Sequence, residues 1–214
     1  MGFLNVFSKK STKPYKNEAV NKIYELLFCD NIDLYRLESK SHDHPWDILL
    51  NGTADIDKLK IISNDKTLES RQRILACNLL LVAGSTSNDK ELLGVIVEVA
   101  LPGGLDVLAV YNDGTARYIN QSESLLVWET KTEVSNNLIG KLFFESEKTI
   151  AQIGPWNEAR KPFPRNGMVR LTFLVSDGLY FGEGLFEILQ ADHLGGPIIN
   201  SATAIMAYLI QRLT

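Results

Sequence analysis

LLGVIVEVALPGGLDVLAVYNDGTARYIN, residues 92–120, carries the period that decides the fold. Val95, Val97, Val99 and Leu101 alternate with Ile96, Glu98 and Ala100, the two-residue period of a strand with two distinct faces. Pro102-Gly103-Gly104 and Asp113-Gly114 interrupt the stretch where turns are needed, and the segments between them are rich in β-branched and aromatic residues. Strands are therefore expected at Leu93–Leu101, Leu105–Tyr111, Thr115–Asn120 and, just beyond, Ser124–Glu129, forming an antiparallel meander. Asp-Gly favours a type I′ turn, whose central residues both take positive φ, so a tight hairpin is expected from Tyr111 to Thr115. Glu98 breaks an otherwise apolar strand, so its face is expected to be only partly covered.

Downstream, Val134 and Ile139 are spaced as a hydrophobic staple around Ser135 as N-cap. They open a helix with Leu138, Leu142, Phe143 and Ile150 on one stripe and Gly154-Pro155 as its stop. A second hairpin pairs Met168–Val175 with Leu179–Gly182 around Asp177-Gly178; Val169, Leu171, Phe173 and Val175 point inward, alternating with Arg170 and Thr172. A short helix is expected over Leu185–Leu189, and Pro197 suits the first position of a last helix lined by Ile198, Ala202, Ile205, Met206, Leu209 and Leu213.

Upstream, Asn17 caps a helix carrying Val20, Ile23, Leu26 and Leu27 and ending near Asp30. Ile32–Leu37 reads as a short strand, and Ser39–Asp47 as a polar segment broken by Pro45. A second helix starts at Asp65 or Thr67 and runs through Leu68, Ile74, Leu75, Leu79 and Val82 to Gly84 as a left-handed stop. Its end is apolar nearly all round, which makes Cys77 and Leu79–Leu81 core candidates. Residues 1–16, with their lysines, Ser11, Thr12 and Pro14, read as a flexible arm. Residues 17–214 are expected to form a single α+β domain, with a sub-boundary near 85–90. Its sheet has five to six antiparallel strands in the order βββ(β)-α-ββ-α, with helices on one face and a helical N-terminal third.

The 214 residues are 45% apolar, and 26 acidic against 22 basic side chains leave a net charge of −4. That balance argues against a nucleic-acid partner. No apolar run approaches the roughly 20 residues of a membrane span. Phe3, Leu4, Val6 and Phe7 precede Ser8-Lys9-Lys10, the reverse of a secretory signal, and Val6 stands where myristoylation wants a hydroxyl residue. A cytoplasmic protein is expected. Cys29 and Cys77, each placed in a predicted helix, then serve as buried thiols. GxSxG, HExxH, GxGxxG and GxxxxGK[ST] do not occur, and no cofactor is expected.

Three constellations carry candidate chemistry. His42-Asp43-His44 offers two imidazoles and a carboxylate to a divalent metal, against a plain reading as a solvated loop beside Pro45. Asp177 and Glu183 can act as acid and base if they share a cleft, although a hairpin turn already accounts for Asp177. The connection GPWNEARKPFPRNG, Gly154–Gly167, has fourteen residues and three prolines, and loops of that length are often binding loops. Trp156 and Phe163 provide flat contacts there, and Arg160, Lys161 and Arg165 present cations to a carboxylate, phosphate or acidic partner. The plain reading is a stiffened connection whose aromatic residues cover the preceding helix end.

The segments LLGVIVEV (residues 92–99), YNDGTARYIN (residues 111–120), GPW (residues 154–156), VRLTFLVSDGLYFGEG (residues 169–184) and GGPI (residues 195–198) together resemble an uncharacterised family of bacterial proteins. The resemblance spans roughly the C-terminal 125 residues, contains no motif of known chemistry and implies a bacterial origin. The sequence thus leads first to a non-enzymatic binding or interaction protein using the 154–167 loop, with a protein partner or a second copy of the chain. The alternative is an enzyme for a small anionic substrate, with Asp177 and Glu183 as acid-base groups and Arg160 and Arg165 as clamp.

Overall fold

The alternation seen in the sequence carries directly into the sheet. The computed structural model describes residues 13–38, 43–87 and 89–213. β1 (Leu92–Leu101), β2 (Gly104–Tyr111), β3 (Ala116–Ile119) and β4 (Leu125–Trp128) pair consecutively and antiparallel. β5 (Met168–Val175) and β6 (Gly178–Leu185) form a second hairpin, and β5 pairs antiparallel with β1. The strand order is β4-β3-β2-β1-β5-β6, an open six-stranded antiparallel sheet in an α+β fold.

Among the described residues five helices precede the sheet: α1 (Glu18–Leu26), α2 (Ile32–Glu38), α3 (Trp46–Leu49), α4 (Ile56–Asn64) and α5 (Ser70–Val82). α6 (Glu133–Ile150) links β4 to β5, and α7 (Phe186–Ala191) and α8 (Gly195–Leu213) follow β6. None of the helices among the described residues is long and apolar enough to cross a membrane.

Helices cover both faces of the sheet, not one. Ile96, Ala100, Val107, Ala109 and Tyr111 pack with Tyr24, Leu59, Ile62, Leu75 and Leu80 of the N-terminal helices. On the other face Val95, Val97, Leu108, Val169, Leu171 and Phe173 pack with Leu142 and Phe143 of α6 and Ile198, Ala202 and Leu209 of α8. β1 is apolar on both sides apart from Glu98, the composition of a strand buried on both sides. Glu98 accordingly does not lie on a partly covered face; it has no exposed surface.

Several local expectations change for tertiary reasons. Ile32–Leu37 falls within helix α2, where the Asn31 side chain accepts from the Asp33 amide at 3.1 Å, and Tyr35 is drawn inward to stack on Trp46 and donate to the Leu26 carbonyl. Cys29 lies beyond the end of α1, at φ 53, rather than within a helix. α4 buries only Leu59, Ile62 and Ser63, so its apolar stripe is too sparse to stand out in the sequence. α6 is capped by Thr132, with Ser135 at the third position closing a capping box, and it stops at Ile150, before Gly154-Pro155.

The Tyr111–Thr115 hairpin has a three-residue loop in which only Gly114 takes positive φ, so it is not a type I′ turn. The Asp113 carboxylate accounts for the difference. It accepts from the Ser70 amide at 2.8 Å at the start of α5, and from the Thr115 amide and hydroxyl at 3.0 and 2.7 Å. Asp113→Ala removes the acceptor of the first α5 amide and both Thr115 hydrogen bonds of the turn, and is expected to cost about 1–2 kcal/mol in urea unfolding. A loss below about 0.3 kcal/mol would show that this link between turn and helix is dispensable.

Candidate functional site

The 154–167 connection leaves α6, crosses the outer edge of β6 and runs over the sheet face occupied by the N-terminal helices. At the crossing the Trp156 amide donates to the Leu179 carbonyl at 2.7 Å, and its indole N–H donates to the Ala159 carbonyl at 3.1 Å. The Trp156 ring meets Phe181 edge to face, with centroids 5.1 Å apart. The Lys161 ammonium sits 4.8 Å from the Trp156 ring and 5.0 Å from that of Phe181. Arg160 reaches the N-terminal layer, donating to Asp30 at 2.6 Å and to Glu25, with its guanidinium 3.8 Å above the Phe28 ring. Burial opposes the charge of Arg160, but Asp30 and Glu25 outweigh it and hold the pKa above its usual value. Phe163 packs against the same core. The connection is a strap tying the β6 edge to α1.

Beneath the strap lies a charged row that the sequence did not reveal as a unit. Glu98 of β1, Arg170 of β5 and Glu183 of β6 occupy directly opposed positions on neighbouring strands. The Arg170 side chain is 4% exposed; its Nε donates to Glu183 at 2.7 Å, and Nη1 and Nη2 donate to the Lys161 and Pro162 carbonyls at 3.1 and 2.7 Å. Glu98 Oε1 accepts from the Tyr24 hydroxyl at 2.6 Å. Its Oε2 is 3.8 Å from Arg170 and has no hydrogen-bond partner among the described residues. Burial pushes the Glu98 pKa up, against the Tyr24 hydrogen bond and the charges of Arg170 and Arg160. Glu98 and Arg170 are both polar exceptions on apolar strands, which was the available signal, but only the strand register brings them together.

A cavity of about 520 Å³ opens beside the strap, lined among others by Lys161, Phe163, Arg165, Asn166, Arg170 and Glu183. Three cations face one carboxylate there, and that carboxylate already holds Arg170. Arg165 is exposed and makes no ion pair among the described residues. Of the five loop residues singled out from sequence, Trp156, Arg160 and Phe163 are bound into the fold, Lys161 is steadied by two rings, and Arg165 is left to meet solvent. A larger cavity of about 610 Å³ between the β2–β3 hairpin and α6 sets Lys66 and Lys131 against Glu69 and Asp113 and has no such surplus.

Asp177 and Glu183 do not share a site. Asp177 lies in the β5–β6 turn, accepting from the Tyr180 hydroxyl at 2.9 Å, while Glu183 is six residues further, about 20 Å along an extended strand. Arg160 is taken up by its own carboxylates and does not line the cavity. His42 lies outside the described residues; His44 is half exposed, with Nδ1 3.9 Å from Asp47, and His193 is exposed beside Asp192. Among the described residues no three His, Cys, Asp or Glu side chains are grouped to hold a metal. Cys29 and Cys77 are free and buried, and burial pushes both thiols up to about 12, far from the thiolate form. No family model matches the chain, and no match is found among curated proteins.

Two outcomes follow from this geometry. Trp156→Ala is expected to lower stability by about 1–2 kcal/mol in urea unfolding, whereas Arg165→Ala stays within about 0.5 kcal/mol of the parent. Equal effects would contradict the division between strap and free cation. Glu98 has a folded-state pKa raised above the ordinary 4.5, so its contribution to stability is fully present below that pH and is lost as pH rises through the folded value. The Tm of the parent minus that of Glu98→Gln should therefore decline as pH increases from 4.5; a difference that rises would mean that folding favours the ionised form.

Proposed function

We propose that this protein is a non-enzymatic binding protein that receives an anionic group, a carboxylate or a phosphate, in the cavity beside the strap. The observation carrying the reading is the surplus of cations in that cavity: Lys161, Arg165 and Arg170 against a single, already paired Glu183. Arg170 is fixed by the sheet and supplies potential rather than a free contact. Lys161, held over two rings, and the unpaired Arg165 supply the hydrogen bonds. Because both groups are exposed, attraction depends on ionic strength, and affinity for a lone anion is modest. The two free thiols suit a reducing, cytoplasmic setting. Catalysis by Asp177 and Glu183 draws no support from positions at the two ends of β6.

Calorimetric titration at low ionic strength with inorganic phosphate and with succinate tests the reading. Saturable binding is expected for at least one probe, weakened roughly tenfold by Arg165→Ala and by Lys161→Ala and progressively by added salt. No saturation with either probe, or binding unchanged in the Lys161→Ala/Arg165→Ala double variant, overturns it.

A further inference from the structure

The outer edge of β6 points to the kind of partner that would deliver this anion, an inference that rests on the reading above. Among the described residues the sheet order leaves β6 with no strand on its far side. A two-residue loop closes the β5–β6 hairpin at Val175 and Gly178, so even-numbered β6 residues bond to β5 and odd-numbered ones turn their backbone groups outward. The Trp156 amide, donating to the Leu179 carbonyl, already uses the first outward acceptor. Beyond it, the outward N–H and C=O groups of Phe181 and Glu183 have no partner among the described residues. A Cβ added at Gly182 would meet nothing within 4 Å, so the sheet face on that side has room at the middle of β6 for a neighbouring strand's side chains.

We propose that this edge accepts an extended acidic segment of a partner protein as an additional strand, with its carboxylates meeting Lys161 and Arg165. Side chains on an added strand alternate between the two faces. On the strap face they come beside the cation-rich cavity that contains Glu183. On the other face they come toward α7, which lies against Gly184 through Leu189 and exposes Ile188 at 64%. The segment that fits is therefore acidic at alternate positions and apolar between them. A second copy of this chain is a poorer occupant. Antiparallel self-pairing centred on Glu183 would set Glu183 against its own copy and gather the lysines and arginines of two straps together.

The probe is a short capped peptide of alternating glutamate and valine, with a lysine–valine peptide as control. Binding of the acidic peptide is expected to slow hydrogen exchange at the Phe181 and Glu183 amides about tenfold, and the control peptide should not bind. Leu185→Pro removes an outward N–H at φ −60, where proline fits; it should weaken the acidic peptide roughly tenfold and leave the phosphate titration unchanged, which also shows that the variant is folded. Peptide binding without amide protection and with full affinity for Leu185→Pro overturns strand addition and leaves the anion reading standing. Protection of the same amides without peptide, growing with protein concentration, overturns it in favour of a second copy. Conversely, edge protection that survives Lys161→Ala/Arg165→Ala removes the anion reading while the strand pairing stands.

Discussion

A guanidinium buried inside a sheet that is covered on both faces has to find its hydrogen-bond acceptors within the protein. Arg170 finds them in Glu183 on one neighbouring strand and in the Lys161 and Pro162 carbonyls above, while Glu98 on the other strand stays 3.8 Å away, beyond hydrogen-bond distance. Removing one partner from such a cluster typically costs about 3–5 kcal/mol, because the remaining charge stays buried. The requirement constrains three things together. The β1–β5–β6 register must put Glu98, Arg170 and Glu183 side by side, the strap must present two carbonyls over them, and α1 must bring Tyr24 to Glu98.

The strap follows from the same demand. A connection with three prolines has few conformations to lose, and Arg170 and the Leu179 edge supply fixed points at which to hold it. Arg160 then ties it to α1 through Glu25 and Asp30, and Trp156 and Phe181 pack beneath Lys161. The Arg165 cation lies beyond the last of these anchors and faces the cavity left between strap and strand. Its availability is thus a by-product of the anchoring that immobilises its neighbours, and a site built this way is preorganised on one side and open on the other.

The sheet was largely legible in the sequence. All six strands come from runs with a two-residue period or turn punctuation, and the two faces of β1 separate as the alternation of Val95, Val97 and Val99 with Ile96 and Ala100 says. The helical third was less so. Ile32-Asp33-Leu34-Tyr35 alternates like a strand but forms α2, where Tyr35 finds Trp46 and the Leu26 carbonyl. α4 passes unnoticed because its buried stripe is only three residues. For the site, Trp156, Arg160, Lys161, Phe163 and Arg165 stand out as a loop with recognition chemistry. That Arg160 is consumed internally while Arg165 makes no ion pair among the described residues depends on which acidic side chains come within reach, and Glu25 and Asp30 lie more than a hundred residues away in the chain.

The sequence alone therefore determined the α+β class, the antiparallel hairpins and the position of the long connection, because periodicity and turn chemistry act over a few neighbouring residues. Only the tertiary structure decided that helices cover both faces, that Glu98, Arg170 and Glu183 form one row, and that Arg160 is paired with Glu25 and Asp30 while Arg165 makes no ion pair among the described residues. Those are matters of register and long-range pairing. A one-residue slip between β1, β5 and β6 would break the row while leaving the local patterns of the sequence intact.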